Sequence, residues 1–168
     1  FIIILKKEWL RILAKPIDAG LTFNQKPLFG KNKTWLGILA MSCGTAVWAI
    51  ILTLLFNALG KNPFPSLYTL SSVALVKSLL LGLAYSVGEL PNSFIKRQFD
   101  ILPGGYAEGK WKKKLFNALD ILDSILATTI AASLLYPVSL NTLRIMIVLG
   151  AIIHIATDIY MKRAHLKK

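Results

Sequence analysis

Four long apolar stretches divide the chain, at residues 35–59, 67–90, 116–136 and 140–160. A helix needs about 20 mainly apolar residues to cross a bilayer, and each stretch meets that length. The pattern therefore predicts an all-α, polytopic integral membrane protein with four transmembrane helices. Residues 1–5, followed by Lys6 and Lys7, are interpreted as the truncated end of a further N-terminal helix. A short amphipathic helix on the membrane surface is the alternative for that segment.

The composition supports a membrane environment. Of the 168 residues, 55% are hydrophobic and 17% are charged, whereas soluble domains carry about 25% charged residues. The net charge of +12 would suggest nucleic-acid binding in a soluble protein. Here the basic residues lie between apolar stretches, so membrane topology and anionic phosphate groups explain them better, and no nucleic-acid partner is expected. The single cysteine, Cys43, excludes an intrachain disulfide and a cysteine-cluster metal site.

The distribution of Lys and Arg predicts the orientation of the helices. Seventeen of these residues lie before the first stretch, between the second and third, and after the fourth, and one lies in the loops on the opposite side. Because basic loops stay in the cytosol, this side is predicted to be cytosolic in a multi-pass protein of the cell membrane. It contains two long segments, residues 16–34 and 91–114, and loops of that length are usually functional or disordered.

Acidic residues cluster at the predicted cytosolic ends of the helices. Asp120 and Asp123 are three residues apart, so they lie on one helix face about 5–6 Å apart. Two ionised carboxylates this close repel each other near lipid, and a divalent cation such as Mg²⁺ relieves the repulsion. Glu89 ends the second stretch on the same side and is expected to approach them. The alternative is that the aspartates cap the helix or pair with Lys112–Lys114.

The residues after Glu89 suggest a phosphate site. Pro91 is expected to end one helix and begin the next, with Asn92 or Ser93 as the cap. A helix start next to Lys96 and Arg97 would bind phosphate, although a lone Lys-Arg pair is more commonly a topological anchor. Lys33 and Thr34, just before the first stretch, carry the same two interpretations. His154 and Asp158 are expected to form a hydrogen-bonded pair within the bundle. Close packing between helices is expected at four glycines: Gly37, Gly44, Gly82 and Gly88.

Three blocks of residues resemble the CDP-archaeol synthase family, a branch of the CTP-dependent phosphatidate cytidylyltransferases. The blocks occur in the family's order, cover about residues 16–130 and read as follows: Pro16-Ile17-Asp18 with Leu28-Phe29-Gly30-Lys31-Asn32-Lys33-Thr34-Trp35; Gly88-Glu89-Leu90-Pro91-Asn92-Ser93-Phe94-Ile95-Lys96-Arg97; and Leu119-Asp120-Ile121-Leu122-Asp123-Ser124. The chain departs from the family pattern at Glu89, where Asp is usual, at Leu102, where Lys is frequent, and along residues 106–114.

The resemblance implies a single membrane-embedded cytidylyltransferase-like domain over residues 1–168, without the family's first helix. Such enzymes join CTP to a lipid phosphate, either phosphatidate or an archaeal ether-lipid phosphate, and release pyrophosphate. By motif match, the residues that hold Mg²⁺ would be Glu89, Asp120 and Asp123. The residues that bind phosphates would be Lys33, Thr34, Ser93, Lys96 and Arg97. Catalysis would depend on Asp120, Asp123 and Lys96.

Other functions are compatible with parts of the pattern. A small four-helix transporter could use the carboxylates for ion coupling, although transporters place such groups nearer the membrane midplane. A CDP-alcohol phosphotransferase also has paired aspartates, but its motif continues differently from Ser124-Ile125-Leu126. A non-catalytic homologue is the third alternative. The expected partners are CTP, the lipid phosphate and membrane lipids, and a homodimer is the oligomeric state considered.

Overall fold

The computed structural model describes residues 12–60, 70–105 and 107–164, so the helix expected at residues 1–5 lies outside the described part. The elements are a small hairpin and four long helices: β1 (Thr22–Phe23), β2 (Lys26–Pro27), α1 (Trp35–Ala58), α2 (Ser72–Gln98), α3 (Lys110–Leu135) and α4 (Leu140–Arg163). Within the described residues, four helices are long and apolar enough to cross a membrane. The predicted class, an all-α polytopic membrane protein, is confirmed.

The helices pack against their neighbours in sequence, each antiparallel to the one before. A Cβ atom added to Gly82 of α2 would lie 2.6 Å from the carbonyl oxygen of Met41 in α1, and one added to Gly88 would lie 2.9 Å from that of Asp123 in α3. Small residues therefore allow the close packing that the sequence suggested, as is usual between membrane helices. Gly44 is different, because nothing lies within 4 Å of a Cβ atom there. We call the end of the bundle where α1 and α3 begin, and α2 and α4 end, the basic end.

Pro91 does not end a helix, contrary to the expectation from sequence, because α2 continues through it to Gln98. Proline removes one backbone hydrogen bond, a loss that membrane helices tolerate when neighbouring groups compensate. Here the residues just after Pro91 are anchored to α3 by side-chain hydrogen bonds. The helix ends instead at Gln98, and Asp100 follows it with a positive φ of 59°. The amide of Asp100 donates to the carbonyl oxygen of Arg97 and the amide of Ile101 donates to that of Lys96, which together form a Schellman motif.

The segment between α2 and α3 is shorter than expected. α3 begins at Lys110, so the basic run Lys112–Lys114 belongs to its first turns rather than to a loop. The connection is reduced to residues 99–109. It is packed on the bundle by a small cluster in which Ile101 and Ala107 contact Phe116 of α3. The loop is therefore held by the helix that it leads into.

Residues 12–34 fold over the start of α1 and the end of α2. Asn24 and Gln25 have positive φ values and turn the hairpin. Lys26 donates to the backbone oxygen of Gln98 and to the carboxylate of Asp100, at 2.8 and 2.7 Å. The ring of Phe23 lies 5.7 Å from that of Phe94 in α2. These contacts attach the segment to the basic end of the bundle.

The glycine contact between α2 and α3 can be tested by adding one methyl group. We expect Gly88→Ala to lower the stability of the protein in detergent by about 1–3 kcal/mol, because the new Cβ would overlap α3. The unfolding midpoint, followed by circular dichroism during heating, should fall by about 5 °C. Gly44→Ala is the matched control, since its added Cβ meets open space and its helix propensity improves. Equal midpoints for the two variants would contradict this account of the packing.

Candidate functional site

A cavity of about 740 Å³ lies at the basic end of the bundle. Its walls come from α2, α3 and α4, from Lys33 just before α1, and from the loop of residues 102–105. Seven of the eight site residues selected from the sequence line it: Lys33, Glu89, Ser93, Lys96, Arg97, Asp120 and Asp123. The fold thus brings together groups from parts of the chain that are far apart in sequence.

The two aspartates of α3 share one partner on α2. The Nδ2 atom of Asn92 donates to Oδ1 of Asp120 at 2.7 Å and to Oδ2 of Asp123 at 2.8 Å. Asn92 is only 6% exposed. Its Oδ1 atom has no hydrogen-bond partner among the described residues. A single buried amide therefore holds both carboxylates and leaves one oxygen acceptor unused.

Lysines neutralise two of the carboxylates in this cavity. The Nζ atom of Lys96 lies 2.5 Å from both oxygens of Asp120, and Lys33 forms an ion pair with Glu89. The side chains of these four residues are between 14% and 44% exposed, so the pairs are partly shielded from water. Asp120 pairs with Lys96 of α2, and not with the run Lys112–Lys114 that was the alternative expected from the sequence; those three lysines are exposed.

The carboxylates of Glu89, Asp120 and Asp123 do not lie together in one cluster. Within residues 12–60, 70–105 and 107–164, no group of three His, Cys, Asp or Glu side chains has the arrangement of a metal site. Asp120 and Asp123 meet at Asn92, whereas Glu89 is paired with Lys33. The set of three metal ligands remains a prediction, and the structure supports the proximity of two of its members.

Arg97 binds the backbone of two segments at the basic end, residues 12–34 and the loop of residues 99–109. Its Nε atom donates to the carbonyl oxygen of Phe29 at 3.1 Å, and an NH of its guanidinium donates to that of Ile101. The residue is 9% exposed, yet it still lines the cavity. Arg97 therefore joins the segment before α1 to the loop after α2, a role that the sequence did not suggest.

Ser93 and Thr34 differ in where they lie. Ser93 is buried and lines the cavity. Thr34 does not line it; its side chain is the N-cap of α1 and accepts a hydrogen bond from the amide of Gly37 at 3.1 Å. Ser93 also lies inside α2 rather than at a helix start, so the expected phosphate site at a new helix N-terminus is wrong. Any phosphate contact of Ser93 would come from its side chain.

Several cavity residues were not selected from the sequence. Asn92 is a buried partner of the two aspartates rather than the helix cap expected from the sequence, and Asn117 lies one turn before Asp120 on the same face of α3. His154 and Asp158 were expected in the bundle interior, and both line the cavity from α4. Their spacing of four residues near the predicted cytosolic end was the available signal. The backbone of residues 102–105 gave no chemical signal, because its contribution depends on the path of the loop.

A second, mainly apolar cavity of about 340 Å³ lies between α2, α3 and α4. It is lined by residues such as Ile125, Met146 and Ile153. Four residues line both cavities: Tyr85, His154, Asp158 and Met161. The charged cavity therefore adjoins an apolar space among the membrane-spanning helices.

Comparison with known proteins identifies relatives of this chain. The CDP-archaeol synthase of Pyrococcus furiosus is 38% identical over 96 residues, which cover 56% of this chain and 52% of the relative. That of Methanococcus maripaludis strain S2 is 32% identical over 94 residues, covering 56% and 48%. That of Thermococcus onnurineus is 33% identical over 100 residues, covering 56% and 52%. The chain thus spans about half the length of the curated relatives it matches, and no solved structure matches it.

The family model described as CarS-like, CDP-archaeol synthase, matches residues 12–168, which include all the described residues of the charged cavity. Because the match covers most of the chain, this protein belongs to the CarS-like CDP-archaeol synthase family.

Proposed function

We propose that the protein transfers the cytidylyl group of CTP to a membrane lipid phosphate, giving a CDP-lipid and pyrophosphate. The observation that carries this proposal is the charged cavity, in which lysines and carboxylates from three helices converge beside an apolar space. Because the curated relatives are named CDP-archaeol synthases, an archaeal ether-lipid phosphate is the first substrate to test, and phosphatidate is the second.

The cations of the cavity suit a triphosphate. Lys33 and Lys96 each neutralise a carboxylate of the cavity, Glu89 and Asp120 respectively. With a nucleotide and its metal ion bound, Lys33 and Lys96 would contact phosphate oxygens, and the carboxylates that they pair with would be available to hold the metal. Each charge then keeps a partner, which matters in a site shielded from water. Ser93 and the guanidinium of Arg97 line the same cavity and would provide further phosphate contacts.

The carboxylates fit a magnesium ion by their chemistry. Mg²⁺ prefers hard oxygen ligands, and the cavity offers the carboxylates of Asp120 and Asp123 together with the unpaired Oδ1 atom of Asn92. Glu89 would complete the set after it releases Lys33. Bound there, Mg²⁺ would neutralise charge on the phosphate oxygens.

The reaction needs positioning more than acid–base chemistry. An oxygen of the lipid phosphate attacks the α-phosphorus of CTP, and the bond from that phosphorus to the bridging oxygen of the β-phosphate breaks. Pyrophosphate leaves with the bonding electrons. A phosphate monoester is already mostly ionised at neutral pH, since its second pKa is about 6, so the nucleophile requires no base. The protein contributes by aligning two anions and neutralising their charge.

The lipid substrate explains the second cavity. Its apolar lining among α2, α3 and α4 would receive the hydrocarbon chains, while the residues shared by both cavities place the lipid phosphate at the charged end. The excess of basic residues at that end favours a cytosolic position. This orientation gives the site access to CTP from the cytosol and to lipid from the membrane.

The activity can be tested directly with the purified protein in detergent or lipid nanodiscs. With CTP, Mg²⁺ and an ether-lipid phosphate, we expect release of pyrophosphate and formation of a CDP-lipid, measured by a coupled phosphate assay and mass spectrometry. Reactions with ATP in place of CTP, or without lipid, are the controls. If neither the ether-lipid phosphate nor phosphatidate yields product, the transporter or non-catalytic alternative replaces this proposal.

The role of Asp123 can be separated from folding. Asp123→Asn preserves shape and removes the negative charge, so turnover should fall by at least about a hundredfold. The unfolding midpoint should change little. Asp100→Asn is the matched control, because that carboxylate is 77% exposed, pairs with Lys26 and lies outside the cavity. Full Mg²⁺-dependent turnover by Asp123→Asn would exclude the assigned role.

In the proposed exchange of partners, Lys96 leaves Asp120 and binds a phosphate oxygen. This exchange predicts an unusual effect of replacing Lys96. In Lys96→Met, the carboxylate of Asp120 loses its ammonium partner and is free to bind metal. Binding of Mn²⁺ without nucleotide, measured by electron paramagnetic resonance, should tighten about fivefold, the equivalent of ~1 kcal/mol for a partly exposed ion pair. CTP binding should weaken. Lys110→Met, at an exposed position outside the cavity, should change neither. Weaker Mn²⁺ binding in Lys96→Met would contradict the exchange.

A further inference from the structure

A buried carboxylate lies outside the charged cavity, in the segment before α1. Asp18 is 5% exposed. Its Oδ2 atom accepts hydrogen bonds from the amides of Phe29 and Gly30 at 3.0 and 3.1 Å, and its Oδ1 atom accepts one from Gly20 at 3.2 Å. Asp18 therefore fixes the backbone of residues 29 and 30 from eleven and twelve positions away.

The backbone that Asp18 holds is the part that Arg97 contacts. The carbonyl oxygen of Phe29 accepts the bond from Nε of Arg97. Gly30 has a φ of +89°, and a Cβ atom there would lie 3.0 Å from Nε of Arg97 and 3.1 Å from Cγ of Pro103. The segment lies directly against the guanidinium and the following loop, with no room for a side chain between them.

Two parts of the cavity wall depend on this contact. Arg97 holds the carbonyl of Ile101, and the next residues, 102–105, line the cavity. On the other side, the amide of Lys33 donates to the carbonyl of Gly30 at 3.1 Å, and the carbonyl of Lys33 accepts from Ile17 at 2.9 Å. The backbone from which the Lys33 side chain extends and the loop are thus both held by contacts with residues 17–30.

We infer that Asp18 is a positioning residue for nucleotide binding, which acts through Phe29 and Gly30 on Arg97, Lys33 and residues 102–105 without touching the substrate. The inference rests on the proposed function for its substrate. It extends that function by assigning a role to a carboxylate outside the cavity. It also separates Asp18 from the acidic residues of α3, because Asp18 orients the cationic side of the site and has no part in holding metal.

The charge state of Asp18 agrees with this role. Burial tends to raise the pKa of its carboxyl, but the hydrogen bonds from Phe29, Gly20 and Gly30 outweigh burial, and the net effect is a pKa below the ordinary value. The group is therefore ionised at neutral pH. For a lowered pKa in the folded state, the stabilisation is present above the ordinary pKa and is lost as the pH falls through the folded value.

The direct test compares steady-state kinetics of the full chain with Asp18→Asn. We expect the KM for CTP to rise about tenfold, with kcat and the KM for the lipid within twofold of the wild type, because the lipid end of the site lies among α2, α3 and α4. Glu108→Gln, which removes an exposed carboxylate outside the cavity, should match the wild type. If all three constants of Asp18→Asn change together with a lower unfolding midpoint, Asp18 is merely structural and the inference is overturned.

A double-mutant cycle tests the route through Arg97. If Asp18 acts through that guanidinium, the KM for CTP in Asp18→Asn with Arg97→Lys should be close to that of Arg97→Lys alone, since coupled residues are not additive. Multiplied effects would contradict the route. Gly30→Ala provides a second variant should Asp18→Asn fail to fold, because its Cβ would displace the same guanidinium. A normal KM for CTP in Gly30→Ala would overturn the inference.

A readout without catalysis separates this inference from the proposed function. Hydrogen–deuterium exchange followed by mass spectrometry should show faster exchange in Asp18→Asn for peptides covering residues 28–34 and also for those covering 99–105. Faster exchange in the first region alone would mean that Asp18 holds only its own segment, and the inference would fail even if the wild type makes CDP-lipid. Faster exchange in both regions, in a protein that does not turn over CTP, would instead count against the proposed function.

Discussion

The pairing of Asp120 and Asp123 with side chains of α2 is the interaction on which the basic end of the bundle depends. Two carboxylates one helical turn apart repel each other strongly where water is scarce. α2 supplies the compensation with the amide of Asn92 and the ammonium of Lys96, which are four residues apart and therefore on one face. That face exists only because α2 remains helical beyond Pro91. The continuity of one helix across a proline thus creates the site.

A close approach between α2 and α3 is the second condition. Asn92 can reach both carboxylates because Gly88, one turn earlier, brings α2 against the backbone of Asp123. The next residue after Lys96 faces a different direction, since consecutive helical residues are about 100° apart. Arg97 therefore holds the two loops while Lys96 faces α3. Two adjacent residues of α2 thus take different partners: Lys96 pairs with Asp120, and Arg97 binds the backbone of Phe29 and Ile101.

The sequence predicted the features that depend on local spacing. Apolar runs located the four spans, and the interval between Asp120 and Asp123 placed them together. Predictions from the sequence were wrong where tertiary contacts override local rules. The sequence predicts a helix boundary at Pro91, but α2 continues through it, and Asn92 and Lys96 on its C-terminal side are hydrogen-bonded to α3. The ion partners of Glu89 and Asp120 could not be predicted either, because they depend on the register between helices, and Thr34 proved to be a cap because of the path of the chain before α1.

The net charge of the cavity gives a reason for a metal ion to accompany the nucleotide. Among the described residues, three cationic side chains line it, Lys33, Lys96 and Arg97, against four carboxylates, Glu89, Asp120, Asp123 and Asp158. A cavity that is close to neutral cannot by itself offset the charge of a triphosphate and a lipid phosphate, and uncompensated charge is costly in a shielded site. A divalent cation removes this obstacle by pairing with carboxylates and phosphates at once. The balance of charge in the cavity thus supports the proposed use of a metal ion, as the aspartate spacing does.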